Sequence, residues 1–183
     1  VLSLKESASL RRDGSSKFGI NNKWGMFPTA AIGWNIEKEN FMSGLKWLNQ
    51  LKLRLSYGVS GNQDVGEYRS IVVWKPTGQS VNAETGQKVV TFGADWNANP
   101  DLKWEETAEL NFGVDFAMFN NKISGTIEVY KKNTTDLLGE YQVPVPPNFF
   151  RITYKNTGEM ENKGIELFLQ TYPVSKKNFV WKT

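Results

Sequence analysis

From Leu102 to Met118, apolar and polar side chains take alternate positions almost without a break. Leu102, Trp104, Ala108, Leu110, Phe112, Val114, Phe116 and Met118 fall on one set, and Lys103, Glu105, Thr107, Glu109, Asn111, Gly113 and Asp115 on the other; Glu106 is the exception. Successive side chains of a β-strand point to opposite faces, so this period makes one apolar and one polar face. A helix of the same sequence would place its apolar residues all round. The segment is also far longer than the ordinary strand of about five or six residues. The chain must therefore build long, two-faced strands.

The period recurs. Leu51, Leu53, Leu55, Tyr57 and Val59 alternate with Lys52, Arg54, Ser56, Gly58 and Ser60, and Ala30, Ile32, Trp34 and Ile36 with Thr29, Ala31, Gly33 and Asn35. Ile123 to Tyr130 and Ile165 to Gln170 behave alike, Leu4 to Arg12 is interrupted by Glu6, and a last strand begins near Phe179. The reading is six or seven strands. Phe119-Asn120-Asn121-Lys122 predicts a tight turn, because Asn tolerates left-handed backbone. Residues 172–178 predict a short connection, and 37–50 a moderate one holding one short helix. These fall at one end of an up-and-down meander. The connections at the other end, 13–26, 61–101 and about 131–160, are long and rich in Gly, Asn, Pro and Thr.

Composition excludes much chemistry. The 183 residues contain no Cys and no His. Disulfides, thiolate metal sites and every His-assisted nucleophile are thereby absent. A hydrolase using paired carboxylates is the main catalytic class left. The net charge is +3, with +5 over residues 1–60 and −2 over the rest, scattered and not gathered into a stripe. That argues against nucleic acid as a partner. No apolar run is long enough for a transmembrane helix. The opening VLSLKESASL, without Met, does not read as a signal peptide and suggests the middle of something longer.

Two architectures fit the alternation. A soluble antiparallel sandwich hides its apolar faces in a core; with Trp74 and Trp96 as platforms it would be a carbohydrate-binding module. A transmembrane β-barrel turns its apolar face to lipid and its polar face to a wet lumen. Strand length, and short turns at one end with long loops at the other, favour the barrel. Trp104 at one end of its strand, and Phe116 and Phe119 at the other, would then form two interfacial girdles. Glu106 should lie outside the apolar band, toward the long-loop end.

Five blocks carry a resemblance: SLRRDGSSKFG (9–19) followed by NNKWGMFPTAAIGWNI (21–36), LKLRLSYGVSGNQDVGEY (51–68), NPDLKWEETAELNFGVDFAMFNNKISGTIEVYKKNTTDLL (99–138) and NTGEMENKGIELFL (156–169). In order and spacing they resemble the SusC/RagA family of TonB-dependent outer-membrane transporters, with the variable stretches at 70–98 and 139–153. The resemblance implies an all-β fold: an antiparallel meander forming part of a barrel of about 22 strands closed by an N-terminal plug. It implies import of a nutrient, an oligosaccharide or in some members a peptide, across the outer membrane of a Bacteroidetes-type bacterium. It implies as partners a SusD-type surface lipoprotein over the extracellular mouth, the TonB complex through the N-terminal part, and outer-membrane lipid. Residues 1–183 read as a single internal segment of the barrel, without plug, TonB box, signal peptide or barrel C-terminus. Such a segment alone should not transport.

No catalytic, cofactor-binding or metal-binding residue is assigned, and the chain is not read as an enzyme. Arg11 to Ser16 lacks the ending of a phosphate-binding loop. Glu105 and Glu109 share a face with Asp115, but residues four apart on a strand are about 13 Å apart at the backbone, too far for a retaining glycosidase pair. They read as lumen wall, with Lys52, Arg54 or Lys131 as cross-strand partners. Trp74, Trp96, Tyr141, Phe149 and Phe150 fall in the long loops. Aromatic faces suit sugar rings, and loops on rigid scaffolds carry binding. These five are the candidates for contact with substrate or lid.

Overall fold

The computed structural model describes residues 3–176 and 179–183. In chain order the strands are β1 (Leu4–Gly14), β2 (Trp24–Asn35), β3 (Leu48–Asn62), β4 (Trp74–Val81), β5 (Lys88–Ala94), β6 (Glu105–Met118), β7 (Ile123–Thr135), β8 (Leu138–Gln142), β9 (Ile152–Asn156), β10 (Glu159–Thr171), β11 (Val174–Lys176) and β12 (Phe179–Trp181). Six long strands form one sheet in the order β1-β2-β3-β6-β7-β10, every neighbouring pair antiparallel. This is the meander that the alternation predicts, an open wall among the described residues and not a closed barrel.

Register turns the alternation into two surfaces. Ile32, Leu55, Phe112, Val129 and Ile165 stand opposite one another across five strands. One step toward the short turns, Leu4, Trp34, Leu53, Val114, Ile127 and Leu167 form a second row. These rows are solvent-accessible: Leu55 is 47% exposed, Phe112 43% and Ile165 75%. An apolar surface of this extent is not left to water by a soluble monomer. In a sandwich a second sheet would cover it; among the described residues none does. The opposite face carries Lys52, Arg54, Ser56, Asn111, Asp115, Thr126 and Glu128. There Arg54 grips both Asp115 oxygens (2.8 and 3.0 Å) and reaches Glu128 at 2.6 Å, while the Thr126 hydroxyl donates to Asp115. The guanidinium lies across Gly113, where a side chain would force it to shift.

The two ends differ as the sequence predicts. At one end Phe119, Asn120 and Asn121 all take positive φ. The Phe119 N–H donates to Trp47 O, and the Tyr172 N–H to Lys122 O, so the short connections touch one another. Residues 36–42 form two 3₁₀ turns, Ile36–Lys38 and Asn40–Met42, in place of a single helix. Trp47 stacks on Phe119 and Trp34 meets Phe41 edge-on, an aromatic cluster at this end. The predicted connection 172–178 is part strand, with Val174–Lys176 pairing Phe179–Trp181; its residues 177 and 178 lie outside the described residues.

At the other end the loops hold structure of their own. Within 61–101 the β4–β5 hairpin forms, and within 131–160 the β8–β9 hairpin. Long loops must pair their backbone groups, and Val89-Val90-Thr91-Phe92 is strand-favouring. One expectation fails here. Trp104 is no lipid-facing girdle residue: it is buried and packs against Phe18 and Phe27, with Val65 and Leu102 completing the cluster. The ladder of β6 accordingly begins at Glu105, because Leu102 to Trp104 leave it to fill this cluster. Glu106, opposite Gly61 and Thr135, is the second residue of β6, at the long-loop end.

Candidate binding surface in the long loops

The buried cluster draws three loops together. Phe18 comes from the β1–β2 loop, Val65 from the loop after β3, Leu102 and Trp104 from the approach to β6. The Gly19 N–H donates to Leu102 O, the Trp104 indole donates to Lys23 O, and Gly19 lies so close to the Pro100 carbonyl that a Cβ there would overlap it. Leu138 and Tyr154 of the β8–β9 hairpin pack against the same cluster.

Above it, asparagines join the two longest loops. Asn97 is buried, and its amide is fully used: its oxygen accepts the Phe149 and Phe150 N–H groups at 3.0 Å, and its nitrogen donates to Phe150 O and Ile152 O. Asn99 donates to Tyr154 O, and Asn156 exchanges bonds with both backbone groups of Lys103. Side-chain amides carry donors and acceptors together, so they can continue a backbone pairing where two strands cannot lie side by side. Trp96 is fixed by a single shared donor: its indole N–H points at Tyr68 O and Ile71 O, both at 3.2 Å. The Arg69 guanidinium lies between two rings, 4.4 Å from the centre of Trp96 and 4.6 Å from that of Tyr154. The Tyr154 hydroxyl donates to Glu140, which with burial holds the phenol above its ordinary pKa.

The structure thus gathers three of the five candidate aromatics. Trp96 adjoins Asn97, which holds the backbone of Phe149 and Phe150; Phe149 is 72% exposed at the hairpin tip. One face of Trp96 is taken by Arg69. Trp74 opens β4 opposite Ala94, with its ring exposed. Tyr141 is engaged within its own hairpin, its hydroxyl on Thr157 O and Lys155 4.9 Å over its ring. Sequence reasoning missed Arg69, Asn97, Asn99, Tyr154 and Asn156. The available signal was Trp96-Asn97-Ala98-Asn99-Pro100, two asparagines on one side of an extended segment.

The acids that share the polar face of β6 are engaged by neighbours. Glu105 accepts from the Asn62 amide and the Leu138 N–H, Glu109 pairs with Lys132, Asp115 with Arg54, and Lys131 with Glu161. Among the described residues no group of acids is arranged to hold a metal ion.

Comparison with known proteins agrees. The family described as TonB dependent receptor-like, beta-barrel matches residues 4–183. The chain belongs to this family. The TonB-dependent receptor P39 of Formosa agariphila is 42% identical over 97% of the chain, and the TonB-dependent receptor SusC of Bacteroides thetaiotaomicron 36% over 94%. This receptor segment spans only 16% and 17% of the lengths of those curated relatives. A solved structure, the RagAB peptide importer in its open-open state, superposes with a TM-score of 0.84 at 29% identity, over 97% of this chain and 19% of that one. Its closed-closed state gives 0.82 at 30% identity over 95% and 18%. The chain is accordingly a SusC/RagA-like receptor segment. The sequence blocks that carry the resemblance include Phe18, Phe27, Val65, Leu102 and Trp104, the residues that meet in the buried cluster.

Proposed function

We propose that the protein containing this chain imports an oligosaccharide across the bacterial outer membrane, driven by the TonB complex, with a SusD-like lipoprotein closing the long-loop mouth. A peptide is the second reading, favoured by the likeness to RagAB, which is named as a peptide importer. The observation that carries the proposal is the register itself. One apolar row crosses all six long strands and the other crosses five, with Glu6 of β1 beside Ile32 at its end, on an exposed face as a lipid-facing wall requires. The polar face would line the lumen, and Trp74, Trp96, Tyr141, Phe149 and Phe150 would meet substrate or lid. The function is transport, so the segment makes and breaks no bonds.

The test is deletion of the full-length gene in its own organism. Loss of growth on a defined glycan, restored by the gene but not in a strain lacking TonB, is the expected result. Recovery of the protein in the soluble fraction, or growth independent of TonB, would defeat the proposal.

A further inference from the structure

The β4–β5 hairpin has two unlike faces, and the apolar one is bare. Trp74 stands opposite Ala94, Pro76 opposite Phe92, Gln79 opposite Val90 and Val81 opposite Lys88, all on one side. A register shift between Pro76 and Gly78 keeps these residues in line. The other side is polar, with the Thr77 hydroxyl on Thr91 and Lys75 paired to Asp95. Trp74 is 62% exposed and Phe92 60%, and Val81 and Val90 are exposed as well. A two-stranded hairpin is marginal in water by itself and needs a further layer against its apolar face. Among the described residues nothing covers that face.

The hairpin is nevertheless held in one shape. At its tip the Asn82 side-chain oxygen accepts the Glu84 and Thr85 N–H groups, the Asn82 carbonyl accepts the Gly86 N–H, and the Asn82 N–H donates to Gln87 O. At its base the Asp95 N–H donates to Val73 O, and the Trp96 indole reaches Tyr68 O and Ile71 O. An arm already ordered at both ends loses little freedom on docking.

Its place in the wall limits what can cover it. The hairpin belongs to the connection between β3 and β6, the two middle strands of the six-strand order. The connections beside it along the rim, the β1–β2 loop and the β8–β9 hairpin, belong to this same chain and leave the face open. Two partly exposed aromatics, two valines and a proline offer on the order of 500 Å². Two copies set face to face would bury about 1,000 Å², well short of the roughly 1,600 Å² of a standard interface. The occupant must therefore touch more of the long-loop end than this hairpin. A body spanning the mouth does so, because Asn97, just beyond the end of β5, holds the exposed tip at Phe149.

We propose that the apolar face formed by Trp74, Pro76, Val81, Val90 and Phe92 is where the SusD-like lid lipoprotein docks, through an apolar patch of its own. This rests on the transport reading above and adds to it the surface that holds the lid.

The test is photo-crosslinking of the full-length receptor in its own outer membrane, with p-benzoylphenylalanine placed at Phe92 on the apolar face or at Ser80 on the other. Products are purified through the receptor and identified by mass spectrometry. A crosslink from position 92 to the SusD-like lipoprotein, at least tenfold stronger than from position 80, is the expected result. A crosslink to a second receptor copy, to another loop of the same receptor or to an unrelated protein would overturn the proposal, as would the absence of any product. Phe92→Asp should also weaken the detergent-extracted receptor–lid complex at least tenfold, with Ser80→Asp unchanged and both variants keeping wild-type heat-modifiable gel mobility. An equally tight Phe92→Asp complex would show that the lid is a neighbour and not held there, and would overturn the proposal too. A receptor that supports TonB-dependent growth while crosslinking elsewhere loses only this docking surface, whereas loss of TonB dependence removes the transport reading.

Discussion

Asn97 shows how much one side chain can hold. Its amide satisfies four backbone groups at the tip of another loop, so Asn97→Ala leaves those groups to find water or remain unpaired. Each buried unpaired group costs about 1–3 kcal/mol. The hairpin tip should open while the strands persist, and limited proteolysis near Phe149 should cut the variant faster than the wild type. Equal cleavage rates would show that the clamp contributes nothing. Glu39 behaves differently because its partners respond to charge. Its Oε1 accepts the Ser3 N–H at 2.7 Å and the Trp34 indole N–H at 3.0 Å, in that order holding the carboxyl below its usual pKa. A depressed folded-state value means stabilisation that is complete above the unfolded value of about 4.3 and is lost as pH falls through the folded one. Tryptophan fluorescence of the short-turn end should therefore change in acid below that value, and Glu39→Gln should flatten the change.

At the level of strands, depth in the apolar band decides what a charge costs. Phe112 lies in the middle of a row between Leu55 and Val129, whereas Glu106 is one residue from the end of β6. In a lipid-facing wall Phe112→Arg should destabilise the full-length receptor by about 2–4 kcal/mol and Glu106→Arg by about 0–1 kcal/mol, the difference between midplane and interface. Denaturant titration in lipid vesicles measures both, and equal costs would contradict the assignment of the lipid face. The alternation made these strands legible because a period of two survives any choice of tertiary partner. It misled at Trp104, whose parity continues the apolar face of β6 although the chain leaves the ladder there. Burial against Phe18 and Phe27, residues far away in sequence, decides its place, and no local pattern reports that. The β4–β5 and β8–β9 hairpins were hidden for a related reason. Pro76 and Gly78 look like loop chemistry although they lie in the β4–β5 ladder, and the Pro144–Pro147 run, which forms the tip between β8 and β9, masks the strands that flank it.

Across the whole segment the long loops are a built layer and not a fringe. Phe18, Phe27, Val65, Leu102 and Trp104 give that end a small core of its own, with Leu138 and Tyr154 resting on it. Trp104→Ala would remove its largest member, and loss of a buried aromatic of this kind costs about 3–5 kcal/mol. The sheet and the loop layer should then separate in stability. Hydrogen exchange should quicken across residues 15–23, 63–73 and 95–104, with β3, β6 and β7 still protected. Uniform loss of protection would mean that wall and loops unfold as one unit. The candidate site was half legible on the same grounds: exposed aromatics announce themselves by composition, whereas Arg69 and Asn97 gain meaning only from the loop that closes over them.

The two backbone hydrogen bonds between Thr171 and Thr183, at 2.7 and 3.0 Å, carry a consequence for how such a wall is made. They continue the pairing of β11 with β12 back to the last residue of β10, so each finished strand presents a row of unmet donors and acceptors that captures the segment emerging next. Every neighbour in the six-strand order is also the next long strand in the chain. Construction by accretion follows, each long strand pairing with the one before it, through a short turn at one end and across long loops such as that between β3 and β6 at the other. Closure entropy grows only slowly with loop length, so the long connection between β3 and β6 adds modestly to that cost, and the circumference can be large while each strand meets only its neighbours.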